Sequence, residues 1–184
     1  MALRIARALG VCFALSVAVP IIAVAANPKV GGTVMYASKT IVQNASAAKN
    51  LSTLVAAVKA AGLVETLSST GPFTVFAPTN AAFSKLPAST VGALLKPENK
   101  AKLASILTYH VVPGKITAKA ALAAIKAGGG EASLTTVQGE ALTARVTNGK
   151  IVLTDAKGGK STVTTADVMQ SNGVVHVMDT VLMP

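Results

Sequence analysis

The sequence predicts one domain of the α+β class, with a helix-rich first half and a strand-rich second half. Apolar residues recur at helical spacing between residues 51 and 67, whereas short β-prone runs separated by turns follow residue 130. Between these two regions lies an extended run that carries bulky residues on both faces. Because helices and strands occupy separate parts of the chain instead of alternating, the pattern is typical of an α+β domain.

The first 25 residues are predicted to be a secretory signal peptide. Basic residues come first, an almost unbroken apolar run follows from Leu9 to Val24, and small residues precede an expected cleavage site after Ala25. A retained membrane anchor is disfavoured, because Pro20 interrupts the run and leaves it shorter than the roughly 20 residues that a spanning helix needs. We therefore expect a secreted or periplasmic protein without a membrane span after cleavage.

Residues 26–39 are predicted to be a flexible leader, and residues 40–184 the folded domain. The leader contains Pro28 and a pair of glycines but few apolar groups that could anchor it. The length of the remaining chain suits a single domain. The only cysteine, Cys12, lies in the predicted signal peptide, so no disulfide and no thiolate chemistry are expected afterwards.

Helices are predicted from caps and from apolar periodicity. Thr40 is placed to cap the first helix. A second helix, which Gly62 can end, is predicted from an apolar stripe at i, i+3, i+4 and i+7. That stripe consists of Leu51, Leu54, Val55 and Val58. Further helices are expected at residues 63–67 and 91–95, from residues 96–99 towards residue 108, and at residues 118–127, where three glycines follow.

The best-specified local structure is a strand followed at once by a helix. Apolar residues occupy both faces of the run Phe73–Ala77, which predicts a strand covered on both sides. Pro78 ends this strand because it has no N–H to donate, and either Thr79 or Asn80 can accept a free N–H of the next helix. Phe83 is expected to point back into the core.

The second half is predicted to consist of short strands. Asn148-Gly149 is a strong hairpin signal, because both residues tolerate positive φ. Asn172-Gly173 predicts a tight turn that starts the last strand. The strands are expected at residues 109–112, 133–137, 141–147, 150–154 and 161–165, and from residue 174 onward.

Removing Arg4 and Arg7 with the signal peptide leaves 15 of the 17 basic residues against 7 acidic ones, a formal net charge of +8. A charge of this size either serves solubility or attracts anionic surfaces. Nucleic acid is not an expected partner, because the chain has no Trp, few other aromatic residues and no dense basic cluster. Lys96, Lys100 and Lys102 come nearest to such a cluster, and a solvated helix face explains them.

Three motifs occur in a specific order along the chain. They are the run Phe73–Phe83, the pair Tyr109-His110 at the end of an apolar helix, and the closing segment Ser171–Pro184. Together they resemble the signatures of fasciclin-type domains, extracellular modules found in adhesion proteins and in secreted bacterial proteins. The resemblance extends from about Thr40 to the end, and it implies a compact wedge of β-structure with several helices.

The resemblance also implies binding residues. The family's tyrosine-histidine region is implicated in cell adhesion, which implies such a role for Tyr109 and His110. By strand alternation, one of the two is expected to point outward; the alternative for His110 is a semi-buried histidine bonded to the backbone. Met178 and Asp179 occupy the place of a proposed receptor-contact segment, although Met178 replaces the more usual branched aliphatic residue. Asp179 could instead simply satisfy backbone donors.

Catalysis, metal binding and other cofactors are not expected. The only histidines are His110 and His176, and neither has an evident catalytic partner. In a strand, His176 and Asp179 would point to opposite faces. The sequence lacks a Gly-x-Ser-x-Gly elbow and the recurring ligand spacings of zinc or calcium sites.

The sequence therefore predicts a secreted, monomeric, non-enzymatic adhesion or interaction module. Its expected partner is a cell-surface or matrix protein or an anionic polysaccharide. The alternative is a carrier of a small apolar ligand or lipid, because the many Ala and Val residues could line an apolar pocket, although a packed core explains them equally well.

Overall fold

The computed structural model describes residues 27–184, so the predicted signal peptide lies outside the described residues. The described chain contains helices, a small hairpin and one seven-stranded sheet. Helices dominate before residue 110 and strands after residue 130. The α+β class predicted from the sequence is confirmed.

The helices begin and end largely where local signals predict. Within the described residues they are α1 Ile41–Ala47, α2 Ser52–Ala61, α3 Val64–Ser68, α4 Asn80–Ser84, α5 Ala88–Leu94, α6 Lys100–Tyr109 and α7 Ala118–Ala127, with 3-10 turns at Lys49–Leu51 and Pro97–Asn99. Thr40 and Gln43 form a reciprocal capping box at the start of α1. Gly62, at φ 73°, ends α2 in the left-handed conformation.

The strands form one hairpin and one curved sheet. They are β1 Lys29–Val30, β2 Thr33–Val34, β3 Phe73–Pro78, β4 Val111–Pro113, β5 Glu131–Thr135, β6 Ala141–Thr147, β7 Lys150–Thr154, β8 Lys160–Gln170 and β9 Gly173–Met178. The large sheet has the order β4-β3-β9-β8-β7-β6-β5, in which only β3 and β9 pair in parallel. Asn148 and Gly149 both have positive φ in the β6–β7 turn, as predicted.

The sheet curls until its two edges approach each other. The N–H of Val137, just after β5, donates to the carbonyl of Val111 in β4 at 2.7 Å. The strands thus form a wedge that is almost a barrel. Helices α1–α6 pack on the face that carries Val75 of β3, whereas α7 and strands β5–β8 enclose the face that carries Phe76. The predicted burial of β3 on both faces is confirmed.

Residues 27–39, which belong to the segment predicted to be a leader, form a hairpin and contacts with the domain. Val30, in β1 of the hairpin, and Met35, just after β2, are buried at 3% and 2% exposure. The side-chain amide of Asn44 donates to the carbonyl of Tyr36 at 2.7 Å and accepts from its N–H at 3.1 Å. The apolar residues of this segment are few, so its packing on the domain was not predicted.

Two strand boundaries also differ from the prediction. Strand β8 runs for 11 residues, and its pairing with β9 contains bulges between Val163 and Thr165 and between Thr165 and Val168. Each bulge interrupts the two-residue alternation on which the sequence assignment rested. At the other boundary, α6 continues through Tyr109, and β4 begins only at Val111.

Candidate functional site

The tyrosine-histidine pair lies inside the molecule. Tyr109 is 0% exposed and His110 is 2% exposed. The expectation that one of them points outward is wrong, because the pair ends a helix and strand alternation does not apply there. Tyr109 packs among the residues on the Phe76 face of β3. Neither side chain is available for direct contact with a macromolecule in this structure.

Both side chains instead bind loops that come from later parts of the chain. The hydroxyl of Tyr109 accepts from the N–H of Ala156 at 3.2 Å, and burial raises the pKa of this hydroxyl. His110 Nδ1 lies 2.8 Å from the carbonyl of Ile106, and Nε2 accepts from the N–H of Leu182 at 3.1 Å. These partners require the neutral imidazole with its proton on Nδ1. Burial lowers the pKa of His110 in agreement with that form.

Asp155 holds the same closing segment from the other side. One carboxylate oxygen accepts from the N–H of Met183 at 3.0 Å, while the other accepts from the N–H groups of Lys157 and Gly159 at 3.0 and 2.6 Å. Asp155 was not predicted to be a site residue. The Asp-x-Lys-Gly-Gly turn was the available signal, since aspartate often bonds backbone N–H groups in turns.

The predicted receptor-contact pair is divided between core and surface. Met178 is 0% exposed at the end of β9. Asp179 is partly exposed, and it accepts from the N–H of Thr162 at 2.9 Å and the hydroxyl of Thr180 at 3.1 Å. Burial alone would raise the pKa of this carboxyl, but these hydrogen bonds and Lys85, 3.8 Å away, outweigh it and lower the pKa.

Asn172 connects the start of the last strand to two parts of the helical half, the start of α1 and the end of α3. Its side-chain oxygen accepts from the N–H of Ile41 at 3.0 Å, at the start of α1. Its amide nitrogen donates to the carbonyls of Leu67 and Ser69 at 2.8 and 3.0 Å. Gly173 follows directly, and a Cβ there would collide with the backbone carbonyl of Phe73. The predicted turn is present, but Asn172 has a larger structural role than a turn residue.

His176 is also a structural histidine. Its ring stacks on Phe76 with 5.5 Å between the centroids. Nε2 lies 2.8 Å from the carbonyl of Ile116, and Nδ1 accepts from the N–H of Asp167 at 3.3 Å. Burial lowers the pKa of His176, in keeping with the neutral ring. Both nitrogens are therefore engaged by the backbone, as they are in His110.

The corner after β3 resolves the choice between Thr79 and Asn80. Thr79 caps α4, because its hydroxyl accepts from the N–H of Ala82 at 3.2 Å. Asn80 reaches across to the start of α2, where its side-chain oxygen accepts from the N–H of Thr53 at 3.0 Å. Its amide nitrogen donates to the carbonyl of Lys49 and to a serine hydroxyl nearby. Phe83 is buried in the core, as predicted.

An open groove runs beside this corner, between α2, α4 and α5. Its volume is about 460 Å³. It is lined by Thr53, Asn80, Phe83, Ser84, Leu86, Val91, Gly92 and Leu95. By contrast, the interior cavity between α1–α3 and β3 has a volume of about 30 Å³, far below the several hundred Å³ of a small-molecule site. The groove was not predicted from the sequence, because helix spacing alone does not show which helix faces remain uncovered.

The fold and the motifs agree with the comparisons. The family model described as "Fasciclin domain" matches residues 49–184, and the chain belongs to the fasciclin domain family. It is 57% identical over 145 residues to Protein sll1483 of Synechocystis, covering 79% of this chain and 73% of that protein. It is 37% identical over 169 residues to the cell surface glycolipoprotein MPB83 of Mycobacterium bovis, covering 87% of this chain and 68% of that protein.

A solved structure shows the same fold. A FAS1 domain pair from the insect cell adhesion molecule fasciclin I aligns with a TM-score of 0.72 at 22% identity, covering 83% of this chain and 52% of that one. Among residues 27–184, none of the helices has the length and apolar character needed to cross a membrane. The same residues hold no group of three or more His, Asp and Glu side chains arranged to bind a metal ion.

Proposed function

We propose that the protein is a secreted or periplasmic, non-enzymatic module that binds a cell-surface or matrix component. Membership of the fasciclin domain family supports this, as does the likeness to a protein named as a cell surface glycolipoprotein. We infer that the protein is not an enzyme mainly because backbone groups bind both ring nitrogens of His110 and of His176. Neither imidazole is free to act as a general base.

The tyrosine-histidine pair would then support binding indirectly. Tyr109 and His110 hold the loop at Ala156 and the closing segment at Leu182, so they maintain the shape of the domain. The surface that contacts a partner must be made by other residues, because these two are buried. A binding defect in a Tyr109 or His110 variant would therefore be expected to accompany a loss of stability.

The charge indicates what kind of partner to test. Residues 26–184 carry a formal net charge of +8, which favours anionic polysaccharides and acidic protein surfaces. Within the described residues, ion pairs involve only Lys85 and Arg145 among the cations, so most lysines face solvent without a carboxylate within 4.0 Å. We propose that the protein works as a monomer on such surfaces.

The test is binding of the purified protein to intact cells and to isolated envelope polymers at low and at physiological salt. A control protein of equal net charge measures adsorption that depends on charge alone. Saturable binding that exceeds the control at physiological salt would support the proposal. Binding equal to the control at both salt concentrations would contradict the proposal, because such binding depends on net charge alone. Physiological salt is included because it screens this nonspecific attraction.

A carrier of a small apolar ligand or lipid is the second candidate. The observation in its favour is the groove, whose volume of about 460 Å³ lies in the range of small-molecule sites. A ligand there would be exposed along one side, which is unfavourable for an apolar molecule in water. Solvent extraction of the protein purified from its source, followed by mass spectrometry, would detect a bound lipid.

A further inference from the structure

The groove between α2, α4 and α5 has an apolar strip along one wall. Val91 in α5 and Leu95 just after it are four residues apart, so they lie on the same side of that helix, one turn apart. Leu95 is 38% exposed, although leucine is usually buried. Leu86 and Phe83 continue the apolar lining towards α4. Leu95, together with the partly exposed Leu86 and Val91, thus forms a short apolar strip that remains accessible in the groove, whereas Phe83 is buried.

A glycine keeps this wall open. Gly92 lies inside α5, where glycine costs roughly 0.5–1 kcal/mol relative to alanine. Its φ is not positive, and a Cβ at this position would meet no atom within 4 Å. Neither backbone conformation nor packing therefore requires glycine here. What the missing side chain does provide is space in the groove, beside Val91 and Leu95.

The elements around the groove are strongly basic. Residues 49–61 and 80–98, which contain α2, α4 and α5, hold four lysines and a single carboxylate, Glu98. Of the four, Lys85 pairs with Asp179, whereas Lys49, Lys59 and Lys96 have no ion pair with a described carboxylate. Lys96 follows Leu95 directly, and the carbonyl of Lys49 bonds to Asn80 in the groove wall. Both lysines are exposed and lie more than 4.0 Å from any described carboxylate. An apolar strip between basic elements fits an occupant that is apolar on one side and acidic on the other.

We propose that this groove docks an acidic amphipathic helix of a partner protein. The inference rests on the proposed binding function and names the surface and the partner chemistry. Helices, not a strand edge, form the walls, so an added β-strand would find no main-chain partners, whereas an amphipathic helix can lay its apolar face into the groove. Thr53 and Ser84 also line the groove, and the hydroxyl of Ser84 donates to the carbonyl of Asn80 at 3.0 Å.

The probe is a fluorescent peptide with Leu at i, i+3, i+4 and i+7 and Glu elsewhere, titrated with the purified full chain and followed by anisotropy. A peptide of identical composition in shuffled order tests the need for amphipathicity. A third peptide with Lys in place of Glu tests the charge. We expect saturable binding of the first peptide, and at least about tenfold weaker binding of the other two, because each loses one component of the complementarity.

Two protein variants test the location. Leu95→Asp places a charge in the groove and should weaken binding at least about tenfold. Leu122→Asp is the matched control, because Leu122 on α7 is 37% exposed and the change in net charge is the same. Gly92→Trp fills the groove without adding charge and should also abolish binding, whereas Ala123→Trp on the exposed side of α7 should not. Circular dichroism and thermal midpoints confirm that each variant is folded.

Several results would overturn the inference. They are wild-type peptide affinity in both Leu95→Asp and Gly92→Trp, equal affinity for the shuffled peptide, or no peptide binding by the wild type. If the wild type binds no peptide but sediments with phosphatidylglycerol vesicles, and the groove variants do not sediment, the site is assigned to a lipid instead. If Leu95→Asp retains wild-type binding to cells, the groove inference fails while the proposed function stands; if the wild type binds no cells, the proposed function fails irrespective of the peptide result.

Discussion

The Nε2 atom of His110 accepts a hydrogen bond at 3.1 Å from the backbone N–H of Leu182, 72 residues further along the chain. Through this bond the end of α6 holds the closing segment, in which Leu182 is fully buried. The same ring binds the carbonyl of Ile106 through its other nitrogen. His110 therefore joins two parts of the core instead of presenting itself to a receptor.

Replacing this ring should destabilise the fold. His110→Ala removes both hydrogen bonds and leaves a void at a site that is 2% exposed, so we expect a loss of about 2–4 kcal/mol in the free energy of unfolding. Urea denaturation at neutral pH measures it. A change below about 0.5 kcal/mol would be typical of a surface residue and would contradict this role.

The two buried histidines should make the fold sensitive to acid. Burial lowers the pKa of His110 and His176 in the folded state below the ordinary value of 6.5. Their contribution is thus fully present above pH 6.5 and is lost as the pH falls below 6.5 towards the folded-state pKa, because the unfolded chain binds protons first. The slope should approach about 1.4 kcal/mol per pH unit for each histidine.

Urea denaturation from pH 7.5 to pH 5 tests this dependence. The nearby carboxylates of Asp155 and Asp167 favour protonation of His110 and His176 respectively, but burial outweighs them. The double variant His110→Gln, His176→Gln should be less stable at pH 7.5 and should lose much less stability on acidification. Stability that stays constant in the wild type over this range would be incompatible with neutral buried rings.

Replacing Asn172 should destabilise the fold more than replacing most other polar residues. Asn172→Ala leaves the N–H of Ile41 and the carbonyls of Leu67 and Ser69 without their partner in a buried site. An unsatisfied buried group costs about 1–3 kcal/mol, so we expect a loss of at least about 3 kcal/mol. Ser171→Ala, at the exposed neighbouring position, is the control and should change the thermal midpoint little. Similar midpoints for the two variants would refute the connecting role.

The two residues at the corner after β3 should have separable effects. Thr79→Ala removes the cap of α4 and should cost about 1 kcal/mol. Asn80→Ala removes bonds to Thr53 and Lys49 and should cost at least as much, about 1–2 kcal/mol. Because Asn80 acts on α2, hydrogen exchange in that variant should increase at the first N–H groups of α2. Unchanged exchange there would rule out a role of Asn80 in holding the first turn of α2.

Gly92→Ala should stabilise the protein. The new methyl group meets no atom within 4 Å, and alanine reduces the conformational entropy of the unfolded chain. We expect a gain of roughly 0.5–1 kcal/mol in the free energy of unfolding. Gly62→Ala is the contrasting control, because Gly62 has φ +73° and its replacement should destabilise the fold. A loss of stability in Gly92→Ala would show that this glycine has a structural role.

The sequence by itself determined the elements whose signals are local. Thr40 and Gly62 mark the ends of helices, and Asn148-Gly149 marks a hairpin, because capping and positive φ depend on a few neighbouring residues. The order of three motifs was enough to indicate the family, which the matching of residues 49–184 confirms. The burial of β3 on both faces also followed from the sequence, because apolar residues occupy both alternating faces of the run.

Only the tertiary structure decided what the singled-out side chains do. Asn172 bonds Ile41 and Leu67 across 131 and 105 residues, and no local pattern specifies such partners. The burial of Tyr109 and His110, and the exposure of Leu95 in the groove, depend on which elements cover them. Exposure is a property of the assembled fold, so the sequence could identify Tyr109 and His110 but could not distinguish an internal support from a binding surface.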